Sequence, residues 1–176
     1  MIEDQVSPKR CGHTKGKKVV GFDEACMRIQ AAVDARNEGT DILVMARTDA
    51  RESHGLDEAI KRMKAFDEIG ADILFLEAPQ SVEEMKRFCQ EVNGPKMANM
   101  VEQGKTPVLP PEQLEDIGYR IAAYPLTLIL SALKAMEQAL EELKTGEHPS
   151  NLAQFGHLQD VIGFPQYYDA EDRYKV

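Results

Sequence analysis

Apolar and polar residues recur along the chain in one order: a short apolar run, a polar loop, then an amphipathic segment. Apolar positions spaced three and four residues apart predict helices, and short apolar runs bounded by polar loops predict strands buried on both faces. The predicted strands are Met1–Asp4, Ile42–Ala46, Ile73–Leu76, Lys96–Asn99 and Arg120–Ala123. The predicted helices are Asp23–Asn37, Asp57–Ile69, Ser81–Val92, Pro111–Ile117, Leu126–Lys144 and a last piece near Leu152–Ile162.

Capping residues and apolar stripes set the helix bounds. We predict that Asp23 caps the first helix and that Gly70 ends the second, since these residue types favour those positions. The longest helix has an apolar stripe with a 3.6-residue period, which predicts a face turned towards a core. Its members are Ile129, Ala132, Leu133, Met136, Ala139, Leu140 and Leu143.

Strands that alternate with helices predict an α/β fold with a parallel sheet. Two architectures fit this order. An open, doubly wound sheet of five strands would be complete at this length. A closed (β/α)8 barrel typically needs about 250 residues, so this chain would supply only about its last five βα units. No Gly-x-Gly-x-x-Gly turn follows a predicted strand, so the dinucleotide-binding form of the open sheet lacks support.

Composition narrows the classes of partner. The 176 residues are 43% hydrophobic and 29% charged, with a formal net charge of −9 and no basic tract, which disfavours nucleic acid. No apolar run approaches the roughly 20 residues that span a bilayer, and the N-terminus does not resemble a signal peptide. The three cysteines form no disulfide or zinc pattern. We therefore expect a cytoplasmic protein with free thiols and no membrane partner.

Polar residues follow successive predicted strands. Because the carboxyl ends of parallel strands meet at one edge, we expect these side chains to converge. The segments are Glu3-Asp4-Gln5, Arg47-Thr48-Asp49, Glu77-Ala78-Pro79 and Asn99-Met100-Val101-Glu102, together with the loop Lys9-Arg10-Cys11-Gly12-His13.

That loop resembles the signature loop of isocitrate lyase and 2-methylisocitrate lyase. The segments Ile2–Gln5, Met45–Ala50, Phe75–Ala78 and Ala98–Pro107 also resemble this superfamily in order and spacing. The chain thus resembles the C-terminal part of the isocitrate lyase/phosphoenolpyruvate mutase superfamily, in the branch of 2-methylisocitrate lyase, 2,3-dimethylmalate lyase and carboxyphosphonoenolpyruvate phosphonomutase.

The resemblance implies a partial TIM (β/α)8 barrel over residues 1–145. It also implies a C-terminal helical extension over 146–176 that packs on a neighbouring subunit of a homo-oligomer, a tetramer in this family. The implied activity is a Mg²⁺- or Mn²⁺-dependent carbon–carbon lyase that cleaves a branched 2-hydroxy di- or tricarboxylate to pyruvate and a second carboxylate. Phosphonomutase chemistry, oxaloacetate decarboxylation and an inactive half-barrel are the alternatives.

The resemblance assigns Cys11 as the acid that protonates the carbanion left by bond cleavage, and neighbouring cations would stabilise its thiolate. The alternative, a buried filler, does not suit a loop of Lys, Arg, Gly and His. Arg47 would grip the substrate carboxylate, or else form an ion pair with Asp49 or Glu77. Glu77, Asn99 and Gly12 would bind substrate.

Several positions keep two hypotheses. Glu3 would hold metal-bound water as an outer-shell ligand, although Asp4 would face the site after a one-residue shift. His13 either belongs to the anion site or is solvated. The remaining polar residues and thiols are assigned to solvent or to packing: we predict solvated Lys15, Lys17 and Lys18, surface or interface positions for His54, His148 and His157, and core packing for Cys26 and Cys89.

The direct metal ligands of the family lie in its first three strands, which residues 1–176 do not include. We therefore expect this chain alone to bind Mg²⁺ poorly and to show little activity.

Overall fold

In the computed structural model, residues 1–11 and 16–176 are described. They divide into two compact units, Met1–Thr127 and Leu128–Val176. Among these residues the strands are β1 Ile2–Glu3, β2 Met45–Thr48, β3 Ile73–Leu76, β4 Met97–Asn99 and β5 Ile121–Ala123. The helices are α1 Phe22–Asn37, α2 Ala50–His54, α3 Leu56–Ile69, α4 Val82–Glu91, α5 Pro111–Ile117, α6 Thr127–Lys144, α7 Phe155–Val161 and α8 Phe164–Arg173.

All strand pairs in the first unit are parallel, which confirms the predicted α/β class. β1 pairs with β2 and β2 with β3, while β4 pairs with β5. A parallel bridge between Leu74 and Lys96 links the two groups of strands. The strands therefore follow one another in chain order, and their carboxyl ends lie along one edge.

Helices α1, α3 and α4 cover the strands and bury an apolar core. Ile29, Phe66 and Phe88 are almost fully buried and belong to the same hydrophobic cluster as Leu74 of β3. Gly70 ends α3 in the left-handed conformation and its N–H donates to the Asp67 carbonyl, which confirms its predicted role.

A buried polar network fastens β1 to α3. The Asp4 carboxylate accepts hydrogen bonds from Thr48 Oγ1 at 2.6 Å, from the Asp49 N–H at 2.9 Å and from Arg62 Nη1 at 3.0 Å. Arg62 also donates to the Val20 carbonyl at 3.0 Å. Because Asp4 is 1% exposed and Arg62 2%, this ion pair lies out of water. Asp4 therefore faces the helices.

Some helix and strand boundaries predicted from the sequence differ from those in the structure. β2 begins at Met45, and Ile42 and Leu43 are exposed, so the predicted strand Ile42–Ala46 is wrong at its start. α1 is capped by Gly21, and Asp23 lies inside its first turn. The prediction of Asp23 as N-cap is wrong because the chain enters the helix two residues earlier. Helix α2 was not predicted, since five residues are too few to show a period.

The second unit contains the rest of α6 together with α7 and α8. The predicted inward stripe of α6 is not buried: Leu133 and Leu140 are 48% and 65% exposed. The predicted last helix near Leu152–Ile162 corresponds to α7, while α8 follows a turn at Gly163 and was not predicted. Phe164, Tyr167 and Tyr168 of α8 form a small aromatic cluster. The boundary predicted between residues 145 and 146 stays a prediction. Within residues 1–11 and 16–176, no helix is long and apolar enough to cross a membrane.

Candidate active site

Polar side chains from successive strand ends share one cavity. Glu3 ends β1, Arg47 lies in β2, Glu77 follows β3 and Asn99 ends β4. The cavity has a volume of about 340 Å³. Its lining consists of Glu3, Lys9, Arg10, Cys11, Arg47, Glu77, Asn99, Val101, Pro125 and Leu126. The structure thus brings the strand-end residues together with Cys11, as parallel strands with polar ends require.

Arg47 is the electrostatic centre of the cavity. Its Nε and Nη2 donate to the two carboxylate oxygens of Asp49 at 2.7 and 2.9 Å. Its Nη1 lies 3.3 Å from Glu77 and its Nε 3.4 Å from Glu3, and the guanidinium stacks 5.0 Å from the Phe75 ring. The ion pairs proposed as the alternative role are therefore present, and substrate binding by Arg47 stays a prediction.

These contacts determine the ionisation of Arg47. Burial lowers the pKa of the guanidinium, but the hydrogen bond to Asp49 and the negative charges of Glu77, Asp49 and Glu3 outweigh it, so the pKa is raised. The positive charge of Arg47 is therefore permanent in this pocket, as a carboxylate-binding group requires.

Glu3 faces the cavity, and this resolves which acidic residue of β1 does so. Register pairs Glu3 with Arg47, and Lys9 Nζ lies 3.0 Å from Glu3. Asp4 points to the opposite side, into the network with Thr48 and Arg62. The alternative that placed Asp4 in the site is wrong because adjacent strand residues point to opposite faces.

Glu77 and Asn99 lie side by side. Asn99 Nδ2 is 3.4 and 3.5 Å from the two carboxylate oxygens of Glu77. Glu77 is 1% exposed, and its N–H donates to the Thr48 carbonyl. The next residue, Ala78, has a φ of 57°, a conformation that is strained for a residue with a Cβ. The turn therefore fixes the Glu77 side chain at the carboxyl end of β3 rather than continuing the strand.

The segment before Cys11 is held by a glutamine. Gln5 Nε2 donates to the Arg10 carbonyl and Gln5 Oε1 accepts from the Arg10 N–H, both at 2.9 Å. This two-bond clamp holds the backbone next to Cys11, whose side chain is exposed and lines the cavity. The predicted substrate-binding residues Gly12 and His13, and Lys15, lie outside the described residues.

Lys17 is the largest departure from the sequence-based expectation. It was predicted to be solvated, but its side chain is 1% exposed, and its Nζ lies 3.4 Å from Asp49 and 3.1 Å from Glu52. Lys18 is exposed, as predicted. The bridge between Gln5 and Val19 puts this stretch in extended form, so alternate residues face opposite sides. No local sequence pattern distinguishes Lys17 from Lys18, because Asp49, which pairs with Lys17, lies 32 residues later in the chain.

The other thiols and histidines behave differently from the site residues. Cys26 and Cys89 are half-buried and pack against the core, as predicted. Burial raises the pKa of the Cys89 thiol to about 11. His54, His148 and His157 are exposed. Within residues 1–11 and 16–176, no three His, Cys, Asp or Glu side chains form a cluster that could hold a metal ion.

Relatives extend this picture. The chain is 42% identical over 177 residues to 2,3-dimethylmalate lyase of Eubacterium barkeri, a match that covers 98% of the chain and 61% of the relative. It is 48% identical over 170 residues to a protein named probable 2-methylisocitrate lyase 2 of Corynebacterium glutamicum, covering 94% of the chain and 55% of the relative. The chain therefore spans little more than half the length of these relatives.

The fold also has a solved counterpart. A crystal structure of 2,3-dimethylmalate lyase superposes with a TM-score of 0.89 at 38% identity, covering 99% of this chain and 59% of that one. The family model described as phosphoenolpyruvate phosphomutase matches residues 1–144. The resemblance that rested on five short segments is confirmed: the chain belongs to the phosphoenolpyruvate phosphomutase family within the isocitrate lyase/phosphoenolpyruvate mutase superfamily.

Proposed function

We propose that this chain forms the greater part of the active site of a Mg²⁺-dependent carbon–carbon lyase. The substrate would be a branched 2-hydroxy di- or tricarboxylate, similar to 2-methylisocitrate or 2,3-dimethylmalate, and the products pyruvate and a second carboxylate. One observation carries the proposal: Cys11 lines the same cavity as Arg47, Glu77, Asn99 and Glu3. The lyase names of the relatives support the same reaction class.

The fold would be the last five βα units of a (β/α)8 barrel. Five parallel strands that follow one another in chain order, with helices between them, support this reading. Active sites of such barrels lie at the carboxyl ends of the strands, where the cavity lies here. An open five-stranded sheet remains the alternative architecture.

In this proposal Arg47 and Asn99 orient the substrate. Arg47 would hold a substrate carboxylate by charge-assisted hydrogen bonds, while Asp49 keeps the guanidinium plane in place. Asn99 donates towards Glu77, so the pair would present one acceptor and one donor to the substrate oxygens. Val101, Pro125 and Leu126 line the rest of the cavity and would exclude water from the alkyl branch.

Cys11 would act as the general acid. As the carbon–carbon bond breaks, the 2-hydroxyl of the substrate would give its proton to solvent and become the keto group of pyruvate. The electron pair of the broken bond stays on a carbon next to a carboxylate, and the Cys11 S–H would transfer its proton to that carbon. The thiolate would remain beside Lys9 and Arg10, two cations of the same cavity wall. Directed proton transfer of this kind typically contributes about 10²–10⁴-fold to the rate.

Among residues 1–11 and 16–176, no cluster of metal-ligating side chains provides a direct site for the metal. Glu3 is a carboxylate at the cavity wall and fits an outer-shell role, in which it accepts hydrogen bonds from metal-bound water. Mg²⁺, or Mn²⁺ in its place, supplies positive charge to the oxygens of a 2-hydroxy acid.

A chimaera tests the proposal. Residues 1–176 would replace the matching segment of the Eubacterium barkeri 2,3-dimethylmalate lyase, and pyruvate release would be measured with Mg²⁺ by coupling to lactate dehydrogenase. We expect pyruvate release by the parent chimaera and a loss of kcat of at least about 100-fold in Cys11→Ser. Cys26→Ser, a thiol packed against the core, is the matched control and should stay within about threefold.

The activities of the chimaera distinguish the alternative functions. Turnover that survives Cys11→Ser would refute the acid assignment. Pyruvate formed only from oxaloacetate would favour the decarboxylase, and a new carbon–phosphorus product from a phosphorylated enol would favour the phosphonomutase. A folded parent chimaera without any of these activities would favour an inactive half-barrel.

The C-terminal segment belongs to the proposal as well. Residues 146–176 would pack on a neighbouring subunit of a cytoplasmic homo-oligomer, a tetramer by analogy with the family. Phe155 and Val161 are 73% and 70% exposed, and exposed apolar side chains of this kind would be buried by a partner surface. Light scattering of the intact chain and of a variant with Phe155→Ser and Val161→Ser should show loss of the oligomer in the variant.

A further inference from the structure

A network of ion pairs with alternating charges extends from the cavity into the protein behind it. Lys105 Nζ lies 2.6 Å from Glu52 Oε1, and Lys17 Nζ lies 3.1 Å from Glu52 Oε2 and 3.4 Å from Asp49 Oδ1. Asp49 in turn accepts both hydrogen bonds from Arg47. This ion-pair network therefore connects the loop after β1, helix α2 and the loop after β4 to Arg47 in the cavity.

Lys17 is the buried cation of this ion-pair network. Its side chain is 1% exposed and that of Asp49 is 0% exposed, so their charges are not screened by bulk water. Burial raises the pKa of Glu52, but the hydrogen bond from Lys105 and the positive charges of Lys17 and Lys105 outweigh it, so the pKa is lowered and Glu52 stays ionised. An ammonium placed between two carboxylates is electrostatically favourable, whereas a buried carboxylate without a cation beside it would be destabilising.

Without the ammonium of Lys17, Arg47 would be the one cation paired with Asp49 among the residues that the structure describes. The full charge of a buried carboxylate would then act on the guanidinium that should receive a substrate carboxylate. Lys17 also anchors the chain at the end of the loop that carries Cys11. Two backbone hydrogen bonds join the ends of that loop next to Lys17, from the Val6 N–H to the Lys18 carbonyl at 2.9 Å and from the Val20 N–H to the Asp4 carbonyl at 2.8 Å.

We propose that Lys17 is a positioning residue of the site: its buried ammonium fastens the base of the Cys11 loop to Asp49 and Glu52, and it balances the charge on Asp49 so that Arg47 remains available to substrate. This inference rests on the proposed function only for the role of Arg47. The anchoring of the loop is a property of the chain itself.

The first experiment needs no activity. Amide hydrogen exchange of the 176-residue chain would be compared in the parent, Lys17→Met, Lys17→Arg and Lys18→Met, with Val6 and Val20 as reporters. We expect at least tenfold faster exchange at both amides in Lys17→Met. Lys17→Arg retains the cation and should stay within threefold of the parent, and so should the exposed Lys18→Met. Equal exchange in Lys17→Met and Lys18→Met would overturn the anchoring role.

A second variant covers the case in which Lys17→Met does not fold. Glu52→Gln keeps the size of the side chain and removes its charge, so both lysines lose an ionic partner while Asp49 is untouched. Exchange at Val6 and Val20 should rise at least threefold, and exchange at the core residue Phe66, which is fully buried, should not change. An unchanged rate at both reporters would refute the proposal.

The second experiment tests the link to Arg47 in the chimaera. Lys17→Met should raise KM for the dicarboxylate at least tenfold and lower kcat by less than fivefold, with recovery to within threefold of the parent KM in Lys17→Arg. A merely structural role would lower the active fraction, and therefore kcat, without raising KM. An inactive parent chimaera would contradict the proposed function, while the exchange data would still decide the anchoring role of Lys17.

Discussion

Replacing Asp4 by alanine should be the most damaging single change to the first unit outside the apolar core. Three donors end on this carboxylate: Thr48 Oγ1, the Asp49 N–H and Arg62 Nη1. Asp4→Ala removes both acceptor oxygens and with them all three hydrogen bonds, and it leaves behind the guanidinium of Arg62, whose side chain is 3% exposed. A buried cation without its main anion is destabilising, as are buried donors without acceptors.

The expected loss of unfolding free energy depends on the partners that Arg62 keeps. Breaking a buried ion pair by removing one partner typically costs about 3–5 kcal/mol. Arg62 would keep Glu58, 2.9 Å away, and the Val20 carbonyl, which places the expected loss near the lower limit, about 3 kcal/mol. With an m value of about 2 kcal/mol per molar urea, the unfolding midpoint should fall by about 1.5 M.

The assay is urea unfolding followed by circular dichroism, with Asp116→Ala as control. Asp116 is an exposed residue of α5 and undergoes the same chemical change. A double-mutant cycle with Arg62→Met isolates the energy of the Asp4–Arg62 pair. The double variant should lose less unfolding free energy than the sum of the two single losses, because it leaves no unpaired charge at this position. If Asp4→Ala lowers the midpoint no more than Asp116→Ala, the reasoning about the buried pair is refuted.

Three further outcomes follow from the same side chains. Burial raises the pKa of Cys89 to about 11, so little of its thiol is ionised at pH 8. Iodoacetamide should therefore label the exposed Cys11 first and Cys89 last in a time course followed by mass spectrometry. Labelling of Cys89 before Cys26 would contradict this expectation. The hydrogen bond from Arg51 lowers the pKa of Glu84 in the folded protein. The ionised Glu84 therefore stabilises the fold fully above the pKa of an unfolded glutamate, about 4.3, and this stabilisation is lost as the pH falls through the lower pKa of the folded state. Glu84→Gln should therefore flatten the decline in unfolding free energy below about pH 4.3, and an unchanged slope would count against it. In calorimetry the chain alone should bind Mg²⁺ more weakly than micromolar, because its described residues contain no cluster of metal-ligating side chains; micromolar binding would refute that expectation.

Local sequence determined some elements completely. β3 spans Ile73–Leu76 and α5 spans Pro111–Ile117, both as predicted. In each case the signals lie within the segment: a short apolar run ends at charged or turn residues, and a proline opens the helix while Gly118 ends it in the left-handed conformation. Where caps and period agree, the bounds can be read without tertiary information.

Other elements depend on contacts that no local pattern reveals. Ile42 and Leu43 are apolar but exposed, so hydrophobicity alone extended β2 too far towards its start. Lys17 is buried because Asp49, 32 residues later, and Glu52 supply charges that its neighbours in sequence do not. Composition suggested a solvated lysine because an unpaired lysine is hardly ever buried. The pairing that overturns this expectation exists only once β2 lies beside β1.

The candidate site combines both kinds of information. That Arg47, Glu77 and Asn99 would meet follows from their positions at the ends of parallel strands, but the charge balance among them does not. The cavity wall holds three cations, Lys9, Arg10 and Arg47, against the carboxylates Glu3 and Glu77. Asp49 and Lys17 behind the wall add one charge of each sign. Among the residues that the structure describes, these charges leave a net surplus of one positive charge, fewer than the two or three negative charges of a di- or tricarboxylate, so we expect binding to gain from a further cation at the same place. This shortfall is an electrostatic reason, independent of any relative, to look for a divalent metal that enters the cavity together with its substrate.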